Sequence, residues 1–181
     1  MKEASKIIGG NPSKPRRDSD FYPTPPEVTV ALLDFLRLPK STKIWEPACG
    51  QNHMVNVMKN FGYDVVATDI QTGTDFLTVD CKDCDWIITN PPFGISDKFI
   101  ERCIEHRKPF ALLLKSQYWH AKKRLEIYRK HTPMFILPLT WRPDFLFTEP
   151  GDHKPLMDVC WVVWRGCPSA IYHPLERPEV W

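Results

Sequence analysis

The sequence predicts an α/β fold in which a central, mostly parallel sheet is flanked by helices. Short apolar runs such as 86–89 and 110–114 show no polar alternation, which is typical of strands buried on both faces. Along the 181-residue chain these runs alternate with stretches whose apolar residues recur at helical spacing. Ligands of such sheets bind beyond the carboxyl ends of the strands, so the residues that follow each run are the candidates for function.

The first predicted helix follows Pro25, and its apolar positions 28, 31, 32, 35 and 36 form one face. Further helices are expected at 54–61, closed by Gly62, at 96–106 and at about 119–130. The predicted strands are 43–45, 65–68, 86–89, 110–114, 134–137 and 159–164. Residues 1–20, rich in Gly, Pro, Ser and charge, indicate a flexible arm, and 21–181 are expected to form a single domain.

Composition narrows the class of protein. An apolar share of 43%, a charged share of 25% and a net charge of +2 are ordinary for a globular chain. No apolar stretch approaches the roughly 20 residues of a membrane span, and the polar start is no secretory signal, so we expect a cytoplasmic protein without membrane contact. Cys81 and Cys84 have the spacing of half a zinc site, but no second pair follows, so no metal is expected.

The turn after the first strand, Glu46-Pro47-Ala48-Cys49-Gly50, has the features of a nucleotide cradle. Gly50 lets a ligand approach the backbone, and Glu46 can pair with a cationic group. The chain has neither G-x-G-x-x-G nor GK[ST], which disfavours a dinucleotide and a P-loop phosphate. A purely structural turn between strand and helix is an equally open interpretation of this segment.

Acidic residues also follow the second strand. Asp69 lies 23 positions after Glu46, close to the offset of about 20 residues at which a carboxylate binds ribose hydroxyls. Asp75 could accept a hydrogen bond from an adenine amino group, with Phe76 packed on the ring. The alternatives are that Asp69 and Asp75 cap local turns and that Phe76 belongs to the core.

The sharpest motif is Asn90-Pro91-Pro92-Phe93, directly after the run 86–89. Two prolines remove two backbone donors and fix the turn, which leaves the carbonyls of Asn90 and Pro91 outside regular structure. The result is a rigid edge of oxygen acceptors beside an aromatic ring. Such an edge suits a planar primary amine attached to a ring.

With these motifs the sequence resembles the S-adenosylmethionine-dependent amino-methyltransferases, and bacteriophage-type DNA N6-adenine methyltransferases in particular. Asn90-Pro91-Pro92-Phe93 resembles their [DNS]-P-P-[YFW] motif, Glu46-Pro47-Ala48-x-Gly50 their first cofactor motif, and Tyr22-Pro23-Thr24-Pro25 their F-x-T-P segment. The resemblance implies a Rossmann-like class I methyltransferase fold with a seven-stranded, mostly parallel sheet. It leaves no long segment for a separate target-recognition domain. Where the family has its second glycine, this chain has Asn52, a residue that tolerates the left-handed conformation.

The resemblance assigns roles by position. The implied catalytic residues are Asn90, Pro91, Pro92 and Phe93. The implied binding residues for S-adenosylmethionine are Tyr22, Thr24, Pro25, Glu46, Ala48, Gly50, Asp69, Ile70, Asp75, Phe76 and Asn90. From the position of cations and an aromatic ring after the later strands, we expect nucleic-acid contacts from Lys115, Trp119, Lys122, Arg124 and Arg142.

The implied reaction is methyl transfer to N6 of adenine in DNA, with Asp but not Ala able to replace Asn90. Cytosine N4 and adenine N6 in RNA are alternative targets, and glutamine in a protein is a third. A catalytically inactive nucleic-acid-binding module is the alternative from another class. The sequence does not indicate the oligomeric state.

Overall fold

The computed structural model describes residues 22–81, 83–145, 157–166 and 169–179; the arm predicted for 1–20 lies outside them. The helices are α1 (Pro26–Leu36), α2 (His53–Asn60), α3 (Ser96–His106) and α4 (Leu125–Lys130). The strands are β1 (Lys43–Glu46), β2 (Asp64–Ala67), β3 (Trp86–Thr89), β4 (Phe110–Lys115), β5 (Phe135–Pro138), β6 (Val159–Trp164) and β7 (Ile171–Tyr172).

The seven strands form one mostly parallel sheet in the order β2-β1-β3-β4-β6-β5-β7, as the resemblance implies. β6 pairs antiparallel with both β4 and β5, and the other pairings are parallel. β7 was not predicted, because two exposed residues give no strand signal. β2 is an edge strand with exposed ends, so the expectation of burial on both faces is wrong for it.

Alternate strand residues face two apolar clusters, one on each side of the sheet. Ile44 and Ile88 belong to the cluster that includes α1 and α2. Trp45 and Ile87 belong to the cluster that includes Phe99 of α3. A one-residue slip of β1 would exchange Ile44 and Trp45 between the two clusters, so the difference in size between these side chains favours a single register.

The helix expected at about 119–130 is α-helical only from Leu125. Before it come two 3-10 turns, Ser116–Trp119 and Lys122–Arg124. The Arg124 guanidinium donates to the Tyr118 carbonyl, and the Trp119 ring packs against Tyr128 at 5.3 Å. These side-chain contacts hold the chain in two short turns rather than in one continuous helix. Gly62 follows α2 at φ +86°, the left-handed position predicted for it.

Candidate active site

A cavity of about 190 Å³ lies at the carboxyl ends of β1, β2 and β3, where the strand order reverses around β1. Nine residues predicted to bind a cofactor line it: Tyr22, Thr24, Glu46, Ala48, Asp69, Ile70, Asp75, Phe76 and Asn90. Pro91 and Pro92 line it as well. Pro25, which precedes α1, and Gly50 do not belong to the lining.

Glu46 ends β1 with its side chain buried against the cavity. One carboxylate oxygen, Oε1, accepts hydrogen bonds from the Thr89 hydroxyl and from the Ala48 amide. The other, Oε2, is buried and has no partner in the described part of the chain. Burial raises the pKa of Glu46 to about 8, which favours the protonated acid at neutral pH, and a bound cation would favour the carboxylate.

The turn from β1 to α2 uses two left-handed residues, Gly50 at φ +48° and Asn52 at φ +64°. Asn52 therefore adopts the conformation for which the sequence predicts tolerance, and its carbonyl accepts the Asn56 amide of the first helical turn at 2.9 Å. The Gly50 amide is not directed at the cavity, since it donates to Asp69 Oδ2 at 2.9 Å. Gly50 thus connects the first turn to the second.

Asp69 caps a local turn, which is one of the two interpretations that the sequence left open, and it also lines the cavity. Its Oδ1 accepts the Gln71 amide at 2.8 Å, which caps the 3-10 turn Ile70–Thr72, and Oδ2 accepts the Gly50 amide. Each carboxylate oxygen retains a second lone pair, so capping leaves the side chain able to accept hydroxyl protons in the cavity that it lines. The two amides hold its orientation.

Asp75 and Phe76 also serve local structure. Asp75 Oδ1 accepts the Leu77 amide at 2.9 Å, and Phe76 is 2% exposed. The Phe76 ring packs against Phe99 at 4.8 Å and stacks on His106 at 5.6 Å. Phe76 is therefore a core residue that also contributes to the cavity wall. Two large apolar residues of the lining are exposed, Ile70 at 70% and Ile95 at 38%.

Asn90 is held in one orientation by the segment before α1. Its side-chain nitrogen Nδ2 donates to the Tyr22 carbonyl and to the Thr24 hydroxyl, both at 3.0 Å. A carbonyl oxygen only accepts, so this partner identifies the nitrogen and directs Oδ1 away from it. Oδ1 is buried and has no partner among the described residues. The site therefore presents a fixed amide oxygen without a donor.

This contact argues against the expectation that Asp could replace Asn90. An aspartate would place a carboxylate oxygen opposite the Tyr22 carbonyl oxygen, and the two acceptors would repel each other. Asn90 belongs to the diproline corner, Asn90–Phe93. Within that corner the Pro92 carbonyl accepts the Ile95 amide at 3.1 Å, whereas no described group donates to the Pro91 carbonyl.

Phe93 lies beside the cavity and is not part of its lining. Its ring contacts the Tyr22 ring at a centroid distance of 5.5 Å. The Lys115 ammonium, at the end of β4, is 4.8 Å from the Phe93 ring centre. Lys115 has no carboxylate partner among the described residues, so its charge is not neutralised within that part of the chain.

The other predicted nucleic-acid contacts lie away from the cavity lining. Trp119 is half-buried against Tyr128 and Trp164. Arg124 pairs with Asp97 at 2.9 Å through its Nε atom. Lys122 is exposed.

Arg142 is more exposed than Arg124 but is also paired, because its Nε lies 2.7 Å from Asp158 Oδ1. Of the five predicted residues, Lys115 and Lys122 are therefore the cations that no described carboxylate neutralises.

Several lining residues were not predicted. Pro47, Cys49, Gln51, Gln71 and Leu77 are sequence neighbours of predicted positions and could have been found by extending each motif by one residue. Pro23, His53, Met54, Ile95 and Phe99 also line the cavity. Met54 and Phe99 carry no functional signal, because their apolar side chains fit the helical stripes equally well.

No helix among the described residues is long and apolar enough to cross a membrane. In the same segments no three His, Cys, Asp or Glu side chains are grouped so that they could hold a metal ion. Cys84 is buried, and its thiol lies 3.6 Å from the Cys81 carbonyl.

Comparison with protein-family models and with curated protein sequences gives no match. Solved structures are similar. The methyltransferase subunit of a type I restriction-modification system from Streptococcus thermophilus matches over 87% of this chain and 48% of its own, with 12% identity and a TM-score of 0.64. A Listeria monocytogenes protein assigned to the class I S-adenosylmethionine-dependent methyltransferases matches over 88% of this chain and 67% of its own, with 13% identity and a TM-score of 0.62.

A protein from Pyrococcus horikoshii assigned as an RNA methyltransferase matches over 91% of this chain and 98% of its own, with 12% identity and a TM-score of 0.64. The chain thus spans about half the length of the restriction-modification subunit and nearly all of the archaeal protein. Identities this low establish the fold and nothing finer. The chain has the Rossmann-like α/β fold of class I S-adenosylmethionine-dependent methyltransferases.

Proposed function

We propose that this chain transfers a methyl group from S-adenosylmethionine to the exocyclic N6 amine of adenine in DNA. The observation that carries the proposal is the Asn90 amide. Its nitrogen is held by Tyr22 and Thr24, and its buried oxygen has no donor among the described residues although Asn90 lines a cavity. A buried acceptor without a partner costs free energy, so a ligand that supplies an N–H group is favoured there.

The cavity suits S-adenosylmethionine in charge and shape. Glu46, Asp69 and Asp75 line it, and the buried Oε2 of Glu46 has no partner in the described residues. These carboxylates fit a ligand with ribose hydroxyls and cationic groups, and the exposed Ile70 and Ile95 fit its adenine ring. When bound, the cofactor supplies a methyl group on a positively charged sulfur.

The diproline corner addresses the central difficulty of the reaction, which is that the lone pair of the adenine amine is delocalised into the ring. Asn90 Oδ1 and the Pro91 carbonyl accept the two N–H bonds and hold the nitrogen towards tetrahedral geometry. The lone pair is then withdrawn from the π system of the ring and points at the methyl group. These residues act by positioning and by stabilising the charge that develops on nitrogen, and that nitrogen afterwards loses a proton to water.

Phe93 provides an aromatic face for the target base. A base in a duplex must leave its stack to reach the corner, at a cost of a few kcal/mol, and stacking on Phe93 offsets part of this. Lys115 beside that ring is available to a backbone phosphate, since it has no described carboxylate partner. DNA is favoured over RNA as the substrate because the segment Tyr22-Pro23-Thr24-Pro25 resembles that of the phage-type DNA enzymes.

The test is methyl transfer from tritiated S-adenosylmethionine to duplex DNA, single-stranded DNA and RNA in parallel, with mass spectrometry of the released nucleosides. We expect N6-methyladenine in DNA, and we expect the Asn90→Ala protein to bind the cofactor without transferring the label. N4-methylcytosine as the product would show that cytosine is the target base, and methylated RNA would show that RNA is the substrate. A wild-type protein that binds no S-adenosylmethionine would instead support the inactive binding module.

A further inference from the structure

Residues 74–80, part of the loop between β2 and β3, contribute Asp75, Phe76 and Leu77 to the cavity, yet this segment contains no helix or strand. A turn in which the Asp75 carbonyl accepts the Thr78 and Val79 amides organises the segment. Such a turn does not by itself fix the distance between the loop and the rest of the cavity. A contact from outside the loop is needed to hold this wall.

Arg102, in the middle of α3, supplies that contact. Its Nε donates to the Phe76 carbonyl at 3.3 Å, and its Nη2 donates to the Val79 carbonyl at 2.9 Å and to Asp80 Oδ1 at 2.7 Å. Its Nη1 donates to Glu105 on its own helix at 2.8 Å. The planar guanidinium can serve all four acceptors because its five N–H groups form a fixed fork, and a lysine ammonium cannot.

The ion pairs of Arg102 and its hydrogen bonds to the loop carbonyls differ in exposure to water. Asp80 and Glu105 have side chains that are 63% and 64% exposed, so water screens these ion pairs. The Arg102 side chain is only 17% exposed, and its bonds to the two loop carbonyls are partly buried. The carbonyl bonds are therefore the ones able to fix the position of the loop.

The same helix is anchored to the diproline corner. Ser96, the first residue of α3, has its hydroxyl 3.1 Å from the Phe93 carbonyl, and Phe99 of α3 packs on Phe76. One rigid element thus contacts the loop wall of the cavity through Arg102 and Phe99, and the corner through Ser96. We propose that Arg102 is a positioning residue that holds the 74–80 loop in the form that receives the adenosine part of the cofactor.

This inference rests on the proposed function, because it assigns the ligand of the loop as a nucleoside. The test is calorimetric titration of the full chain with S-adenosylhomocysteine and with 5′-methylthioadenosine, which lacks the amino-acid part. We expect Arg102→Gln to weaken both ligands by the same factor, about tenfold. Glu105→Gln, which removes only the exposed pair on α3, should leave both affinities within about twofold of wild type.

Steady-state kinetics distinguish a positioning role of Arg102 from a general loss of structure. The KM for S-adenosylmethionine should rise with Arg102→Gln, with kcat at saturating cofactor retained, and Arg102→Lys should restore part of the affinity. If Arg102→Gln does not fold, Arg102→Lys takes its place in the titrations, and hydrogen exchange of the 74–80 amides is measured as well. We expect the amides of Arg102→Lys to exchange faster than those of the wild type, and we expect both ligands to bind more weakly.

A folded Arg102 variant that binds both ligands as wild type does would overturn the inference. A variant that loses only S-adenosylhomocysteine would also overturn it, because the defect would then lie at the amino-acid end. A wild-type protein that binds neither ligand would instead remove the proposed function, so the two failures are distinguishable.

Discussion

The cavity and the predicted nucleic-acid contacts differ in how their residues are held. In the cavity, Asp69 accepts two backbone amides, and Asn90 donates to the Tyr22 carbonyl and the Thr24 hydroxyl. Outside it, Arg124 and Arg142 are occupied by aspartates, and Trp119 packs into an aromatic cluster. Lys115 and Lys122 retain charge that no described carboxylate neutralises.

Outside a defined pocket, the positive charge of a side chain is therefore a poor indicator that the residue binds nucleic acid. A cation that already has a close carboxylate partner must break that pair to bind a phosphate, whereas an unpaired lysine releases counterions without such a cost. A polar atom that is buried without a partner is a stronger sign of a ligand. Asn90 Oδ1 and Glu46 Oε2 are such atoms, and both residues line the cavity.

The largest expected effect comes from Asn90→Ala, which removes the fixed acceptor. We expect kcat to fall by about 10² to 10³, the loss seen when one preorganised hydrogen-bonding group is deleted from an active site. The affinity for S-adenosylhomocysteine should stay within about threefold of wild type by calorimetry.

Asn90→Asp tests the orientation of the side chain at this position. The aspartate keeps an acceptor but turns an oxygen toward the Tyr22 carbonyl, so we expect kcat to fall by at least about tenfold. An Asn90→Asp enzyme with wild-type kcat would show that the Tyr22 contact does not control the orientation.

The next effect is the pH dependence of cofactor binding through Glu46. Because burial raises the pKa of Glu46 to about 8, the ammonium group of a ligand that pairs with Glu46 must displace a proton below that pH. The affinity for S-adenosylhomocysteine should therefore rise by up to about tenfold per unit between pH 6 and 8. Calorimetry in two buffers of different ionisation enthalpy measures the proton released.

Stability of the empty protein should change in the opposite direction. The unfolded chain ionises Glu46 near its ordinary pKa of 4.5, whereas the folded chain holds the proton until about pH 8. The contribution of Glu46 to stability is therefore present below pH 4.5 and is lost as pH rises towards 8. Glu46→Gln should reduce both dependences, and unchanged profiles in that variant would assign them to another group.

Thr24→Val should have a smaller effect, because it removes one of the two groups that hold the Asn90 nitrogen. We expect kcat to fall about tenfold, corresponding to the loss of one hydrogen bond in the transition state. Thr24→Ser, which keeps the hydroxyl, is the matched control and should retain most of the activity. Equal losses in the two variants would indicate a packing role for the Thr24 methyl group.

The smallest effects distinguish Lys115, which has no described carboxylate partner, from Arg124, which pairs with Asp97. Lys115→Gln should raise the KM for DNA a few-fold and lower the slope of log affinity against log salt by about 0.9. Arg124→Gln should leave that slope unchanged and lower the stability of the fold by about 1 kcal/mol, since it removes the pair with Asp97. Salt titrations of DNA binding measure the slope, and thermal unfolding measures the stability. A reduced salt slope for Arg124→Gln would place Arg124 at the DNA after all.

Much of the cavity could be predicted because its residues follow strands, where local patterns are strong. Asn90 and its prolines come directly after a fully apolar run, and Asn52 takes the left-handed conformation that asparagine tolerates. The helix expected at 119–130 was wrong in its first half, because Arg124 and Trp119 contact groups that helical periodicity cannot reveal. The roles of Phe76 in the core and of Arg124 in an ion pair depend on the same kind of distant contact.

The sequence by itself determined the order along the chain of α1–α3 and β1–β6, the left-handed positions at Asn52 and Gly62, and the stiff corner at Asn90–Phe93. Apolar periodicity, glycine and proline act on neighbouring residues, so their effects can be inferred from the chain alone. Only the tertiary structure decided which way the Asn90 amide faces, because its partners lie 66 and 68 residues away. It also decided which cations are neutralised and which polar atoms are buried without a partner, since each depends on groups that approach only after the chain has folded.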